Sequence, residues 1–255
     1  VLTMTSIGKP LRLASLQDVA CDTCHLNTLC LPGDLASEKV TELKEIIQPL
    51  ARLARHEVLY YQGAELDNLY TVRSGSLKQV TTTETGEYLV TALFLPGELI
   101  GLDAIADEHY PGSVVALETS SVCALPFKPL EALCAQRLEL CLRLHRSLSQ
   151  EIHNERLRLR LLLRRTAEGR VACFLTALSE RFQRRGYSPY RFHLSLSRAD
   201  LGSYLGLTEE TVGRALMRCQ EQGLVTVRGR EIRILDMPNL ARLAHASGRR
   251  KAQGG

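Results

Sequence analysis

The hydrophobic period changes once along this chain, and that change fixes the class of fold. Between residues 57 and 127 apolar and polar residues alternate, as in Leu69-Tyr70-Thr71-Val72-Arg73-Ser74 and Tyr88-Leu89-Val90-Thr91-Ala92-Leu93-Phe94, with glycine-bearing turns between the runs. A period of two buries one face of a strand, so this stretch predicts an antiparallel barrel or sandwich of about 70 to 80 residues. From Pro129 to Arg165 the period lengthens to that of a helix, with neither glycine nor further proline. One long helix is expected there, with room for a short one before it. Residues 167–222 predict three more helical stretches, broken at Gly186-Tyr187-Ser188-Pro189 and at Gly206-Leu207, and residues 224–235 alternate about Gly229 as a hairpin. Strands followed by helices make the class α+β.

Composition narrows the function. A chain of 255 residues that is 45% hydrophobic is not disordered. No apolar run approaches the roughly 18 residues that cross a bilayer, and Val1 to Pro10 lacks the pattern of a secretory signal, so a cytoplasmic protein is expected. The net charge of +4 conceals two opposite halves. Residues 1–150 carry 12 Lys and Arg against 18 Asp and Glu, and residues 151–255 carry 20 against 10. A positive field confined to the C-terminal half is what nucleic-acid binding requires, although a merely solvated basic face gives the same count.

The segment from Ser197 to Arg218 supplies the reader for that field. Ser197 and Thr208 are N-caps, each with an acidic residue in the turn it starts, and Gly206-Leu207 breaks the two helices. In the second helix Val212, Ala215, Leu216 and Cys219 line one face, and Glu210, Gly213, Arg214 and Met217 line another. Arg donates to guanine O6 and N7 and Glu accepts from cytosine N4, so Glu210 and Arg214 one turn apart suit a G·C pair and its neighbour. An ordinary i,i+4 surface pair is the alternative. With the hairpin as a wing, the unit reads as a winged helix-turn-helix for double-stranded DNA, with Ser197, Arg198, Thr208, Gly213 and Arg218 as further contacts.

Eight cysteines in a reducing compartment are thiols or metal ligands rather than a disulfide framework. Cys21, Cys24 and Cys30 stand at C-x2-C-x5-C in a polar stretch. Three thiolates leave a fourth position to Cys123, Cys134, Cys141 or His25, and spacing alone does not separate zinc from iron–sulfur. Cys134, Cys141, Cys173 and Cys219 lie in helical apolar patterns and are expected as small buried hydrophobes. In the long helix His145, Leu148, Ile152, Glu155, Leu159 and Leu162 recur at alternating intervals of three and four, a coiled-coil seam. A parallel two-fold would bring Glu155 near its own mate, so the seam is marginal by design.

Taken together, Cys21/Cys24/Cys30, Cys123, the turn Pro96-Gly97-Glu98-Leu99-Ile100-Gly101 and the run Gly206-Leu207-Thr208 before Glu210-Thr211-Val212-Gly213-Arg214 resemble the fumarate-and-nitrate-reduction (FNR) branch of the cyclic-AMP-receptor-like transcription regulators, from about Ala20 to Leu243. The resemblance implies a jelly-roll sensor domain, a coiled-coil dimerisation helix and a winged helix-turn-helix. The corresponding segments are a cluster-binding stretch at 1–35, the sensor at 36–135, the dimerisation helix at 136–166, the DNA-binding domain at 167–246 and a disordered tail at 247–255. It implies that Cys21, Cys24, Cys30 and Cys123 hold an oxygen-labile [4Fe–4S] cluster that promotes a homodimer when intact. Oxygen converts the cluster to a [2Fe–2S] form and the dimer dissociates.

The resemblance also implies a TTGAT-type inverted repeat as the DNA site. Two surfaces for RNA polymerase are implied as well, one from Arg73, Ser74, Thr119 and Ser188, the other from Gly86 and Glu87. Two departures matter. His25 follows Cys24 where a small polar residue is usual, and Gly213 replaces a serine, which weakens the expectation for the outer bases of the half-site. No arginine lies between Arg73 and Arg137 to meet a cyclic nucleotide phosphate, which disfavours a nucleotide-sensing relative. A haem-sensing relative, or one with a structural zinc site, is the competing reading. No enzyme constellation stands out, so the chain is expected to be a regulator and not an enzyme.

Overall fold

The computed structural model describes residues 52–164 and 166–245, together with Cys24, Leu26, Leu29, Cys30, Glu42, Leu43 and residues 45–49. Cys21, His25 and the tail at 247–255 lie outside the described residues. The chain divides into two compact units, one comprising residues 1–77 and 94–143, the other residues 78–93 and 144–255.

In the first unit β1 (Gln48–Pro49), β8 (Ser121–Pro126), β3 (Asn68–Ser74) and β6 (Leu99–Ile100) form an antiparallel sheet in that order. Within it Thr71 faces Cys123 and Tyr70 faces Ile100. β2 (Val58–Tyr60) pairs antiparallel with β7 (Ser113–Ala116) through a register shift between Val58 and Tyr60. The core contains Leu53, Leu69, Val72, Ile100, Val114, Val122, Leu125 and Leu130. β3 departs from simple alternation, because Leu69, Tyr70, Thr71 and Val72 are all buried. A strand with hydrogen-bonded neighbours on both sides and cover on both faces has no solvent side for alternation to mark. Tyr60, Tyr70 and Tyr110 stack inside the unit, and the Tyr110 hydroxyl donates to the Asn68 carbonyl at 2.6 Å. Helix α1 (Phe127–Gln136) follows β8 directly and ends at Arg137, whose extended backbone breaks the helical run.

The short helix allowed for before the long one is α1, and the long helix itself is α2 (Leu138–Leu162). Leu163 and Arg164, expected as part of that helix, lie beyond its end, and Thr166 caps α3 (Ala167–Gln183) by accepting from the Gly169 amide at 3.1 Å. The second unit holds α2 from Leu144 onward, the hairpin of β4 (Leu77–Thr82) and β5 (Tyr88–Phe94) from Lys78 to Leu93, α3, and a three-stranded sheet ordered β10-β11-β9 from β9 (Arg191–His193), β10 (Val225–Arg228) and β11 (Glu231–Ile234). It also holds α4 (Arg198–Leu205), α5 (Glu209–Glu221) and α6 (Met237–His245). α5 packs on α3 and α4, and α6 on α3, around Val171, Leu175, Leu201, Leu205, Val212, Leu216 and Leu240.

β9 and α6 are two elements with only faint local signals. α6 is nine residues long and starts where Asp236 accepts from the Asn239 amide at 3.0 Å, with Pro238 in its first turn. An acidic cap followed by proline is the signal that could have found it.

Candidate nucleic-acid interface

The helix-turn-helix is built by its caps. Ser197 Oγ accepts from the Asp200 amide at 3.0 Å and lies 2.8 Å from the Asp200 carboxylate, so residue and cap hold each other. At the other end of α4, Gly206 takes a left-handed φ of 62°. Arg170 donates from Nη1 to the carbonyls of Leu205 and Gly206, each at 3.0 Å, and so satisfies the open end of the helix. Thr208 starts α5 by accepting from the Thr211 amide at 3.2 Å.

The turn is tight because of Gly202. A Cβ there would lie 2.6 Å from the Leu207 carbonyl oxygen and 3.3 Å from the Glu209 nitrogen, both backbone atoms that cannot step aside cheaply. A Gly202→Ala protein is expected to lose about 1–3 kcal/mol from overpacking. Its thermal midpoint should fall by several degrees and its DNA affinity with it; an unchanged melt would show that the turn yields.

α5 presents the two faces its sequence predicts. Val212, Ala215, Leu216 and Cys219 are buried, and Glu210, Gly213, Arg214 and Met217 are exposed. Glu210 and Arg214 face each other at 3.2 Å across one turn, both largely in solvent, so little desolvation opposes their turning to a ligand. Nothing lies within 4 Å of a Cβ on Gly213, so this face is open where a longer side chain would stand.

The other expected contacts are engaged already. Arg218 pairs with Glu168 of α3. Arg198 donates to the Gly229 carbonyl at 3.3 Å, and partial burial lowers its pKa from the ordinary guanidinium range. Glu231 pairs with Arg191 at 2.6 Å beside the wing, whose tip turns at Gly229. Asp200 meets Lys78 of β4, a partner with no sign in the local sequence. Burial tends to raise the Asp200 carboxyl, but the bonds from Lys78 and Ser197 outweigh it and hold the group below its usual range.

In the first unit Cys24, Cys30 and Cys123 are half-buried. In the Cys30 segment the Leu29 and Cys30 amides each donate to the Leu26 carbonyl at 2.9 Å. The Leu29 side chain sits 2.8 Å from where a Cβ on Gly97 would be, so the Pro96-Gly97 turn seats the cysteine segment only because residue 97 is glycine with a φ of 87°. The Gly97 amide donates to the Val72 carbonyl at 2.8 Å, and Thr71 beside it faces Cys123 on β8. Arg143, near the start of α2, donates to the Cys30 carbonyl at 3.2 Å. Among the described residues no three His, Cys, Asp or Glu side chains converge into a group that could hold a metal.

Three of the four helical cysteines are less buried than their apolar pattern predicts. Cys219 is buried, but Cys134, Cys141 and Cys173 are only half-buried. Burial pushes the Cys134 and Cys219 thiols up to about 11, which keeps them protonated and poor as ligands.

Along α2 the seam residues His145, Ile152, Glu155 and Leu159 are exposed and Leu148 and Leu162 half-buried. Arg73 and Ser74 are exposed at a turn that lies against Thr119 and Ser120, so these three of the expected polymerase contacts come together. Gly86, Glu87 and Ser188 are exposed turn residues of the second unit. No helix among the described residues is long and apolar enough to cross a membrane.

Comparison with known proteins accords with this architecture. The cyclic nucleotide-binding domain matches residues 50–137 and the Crp-like helix-turn-helix domain residues 169–243. The transcriptional activator protein anr of Pseudomonas aeruginosa is 40% identical over 238 residues, covering 93% of this chain and 98% of that protein. The fumarate and nitrate reduction regulatory protein of Escherichia coli is 39% identical over 226 residues, covering 89% and 90%. The structure of FixK2 from Bradyrhizobium japonicum superposes with a TM-score of 0.72 at 27% identity, covering 79% of this chain and 99% of that one. With a helix-turn-helix on one unit, an antiparallel sheet on the other and relatives matched over nearly their whole length, the chain belongs to the Anr and FNR family of transcription regulators within the CRP/FNR superfamily.

Proposed function

We propose that this chain is a cytoplasmic, oxygen-responsive regulator that holds a [4Fe–4S] cluster on Cys21, Cys24, Cys30 and Cys123 and, with the cluster in place, binds DNA as a homodimer. The observation that carries this reading is the seat of the cysteine turn. Leu29, beside Cys30, packs on Gly97, which bonds to β3 at Val72, and Thr71 of β3 faces Cys123, so the residues next to Cys30 and the strand of Cys123 meet at the same strand. The donors are thiolates alone, which suits iron–sulfur ligation. Bound there, the cluster supplies oxygen-labile iron–sulfide bonds.

The rest of the reading rests on this chain's own side chains. Arg143 ties the Cys30 carbonyl to the start of α2, so the position of the cysteine turn bears directly on the helix that carries the seam. The seam of His145, Leu148, Ile152, Glu155, Leu159 and Leu162 pairs the two chains. Glu210 and Arg214 read a G·C pair of a TTGAT-type half-site, Thr208 starts their helix, and Ser197, Arg198, Gly213 and Arg218 are the further DNA contacts. The exposed residues Arg73, Ser74, Thr119 and Ser188 belong to one surface for RNA polymerase, and Gly86 and Glu87 to the other.

Anaerobic purification followed by an absorption spectrum and iron and sulfide analysis tests the cofactor. A broad band at the violet edge of the visible with about four iron and four sulfide per chain is expected. Cys24→Ser and Cys123→Ser should each abolish it. One zinc and no colour would overturn the reading.

A further inference from the structure

The β4–β5 hairpin belongs by its contacts to the unit that carries the helix-turn-helix. Three groups of contacts fasten it there. The Lys78 ammonium on β4 pairs with Asp200 on α4, with only 9% and 15% of their side chains exposed. The Val90 amide on β5 donates to Ser203 Oγ of α4 at 2.8 Å. On the far side, Arg158 of α2 donates to the Val90 carbonyl at 3.2 Å, lies 5.0 Å from the Tyr204 ring of α4 and reaches the Glu155 carboxylate at 3.4 Å. One residue, Val90, is thus held by α2 through its carbonyl and by α4 through its amide.

We infer that the hairpin is a strut that sets the pose of the DNA-reading head on the dimerisation helix, with Lys78, Ser203 and Arg158 as positioning residues. Lys78 stands in a strand stretch where Leu77, Gln79 and Val80 are also buried, so its charge is tolerated only because Asp200 meets it. Such a pair contributes less to stability than to register, because its geometry is satisfied in one arrangement. In a dimer that register matters twice over. Two heads must meet two half-sites one helical turn apart, and a head free to swing is in the competent pose for only a fraction of the time, which weakens apparent affinity by that fraction. Contact with a single half-site carries no such demand.

The inference rests on the proposed dimeric DNA binding, and its test separates the two. Lys78→Met, Ser203→Ala and the conservative Lys78→Arg are compared in the cluster-loaded, full-length protein. Hydrogen exchange first reports whether the Val90 amide loses protection. Binding is then measured to duplexes carrying two TTGAT half-sites, at native spacing and with one base pair added, and to a duplex with one half-site. Lys78→Met and Ser203→Ala should speed exchange at Val90, bind the native repeat about tenfold more weakly, tolerate the added base pair better than the native chain and bind the single half-site unchanged. Lys78→Arg should restore most of the spacing preference. A folded Lys78→Met or Ser203→Ala protein with native Val90 protection, or with native spacing preference, would overturn the strut. If Lys78→Met fails to fold, Ser203→Ala, which removes one hydroxyl and no charge, decides. A native chain that binds none of the duplexes would overturn the DNA-site reading, and Val90 exchange still decides whether the hairpin is fastened by these residues.

Discussion

An Arg214→Ala protein is expected to bind the proposed inverted-repeat DNA tenfold or more weakly than the native chain and to melt at the same temperature. Both halves of that result follow from exposure. Arg214 and Glu210 form an i,i+4 pair at 3.2 Å in which more than half of each side chain is in solvent, so removing one partner costs the fold only a few tenths of a kcal/mol. A bidentate arginine on guanine, in contrast, is worth about 1–3 kcal/mol against the wrong base, and a symmetric dimer loses it at both half-sites. The loss should be confined to specific sites. Binding to random-sequence duplex depends on phosphate neutralisation and should change only slightly, with a slightly shallower salt dependence. Glu210→Ala should instead relax preference at the cytosine it accepts from. Fluorescence anisotropy on matched and scrambled duplexes separates these outcomes, and equal losses on both would show that Arg214 serves only as a charge.

The parts of this molecule that were legible in the sequence are those governed by neighbours in the chain. The change of period between residues 127 and 129 marks where strands give way to helices, and Ser197, Thr208 and Gly206 announce α4 and α5 at their observed ends. The two faces of α5 follow from helical spacing alone. What was not legible depends on partners far away. Lys78 reads as the outward residue of an alternating strand, yet it is buried because Asp200, 122 residues later, supplies its counter-charge. Thr71 likewise disappears into a strand covered on both faces. Arg158 reads as a solvent-facing charge between seam residues, and only the tertiary structure shows it bonding to Val90 and lying over Tyr204. Cys24 and Cys30 carry a spacing expected of a ligand set, but the seat of Leu29 beside Cys30 depends on Gly97, whose role as a cradle no local pattern reveals.

The same seam explains why replacing Glu155 should have the largest effect of any single change. Ile152 and Leu159 are 56% and 58% exposed in the single chain, apolar surface that pairing would cover. Each such side chain gains about 1–1.5 kcal/mol on completing its burial, so four across a dimer contribute about 4–6 kcal/mol. Association itself costs at least about 4 kcal/mol in lost freedom, which leaves little margin. Two carboxylates brought within about 4 Å repel by about 4 kcal/mol at an effective dielectric of 20, enough to reverse the balance. In the single chain Glu155 is exposed and meets Arg158 at 3.4 Å, and that arginine is also committed to Val90 and Tyr204, so it is poorly placed to neutralise a second carboxylate from across the seam. Glu155→Ala should therefore strengthen dimerisation about a thousandfold and give a dimer in air, without the cluster. Glu155→Gln, which keeps the shape and removes the charge, should do nearly the same, whereas Glu155→Asp should not. Light scattering on the air-oxidised proteins reads the outcome. Monomers for both alanine and glutamine would mean that the carboxylate merely lies out in solvent beside its arginine, and that the barrier to pairing is elsewhere on α2.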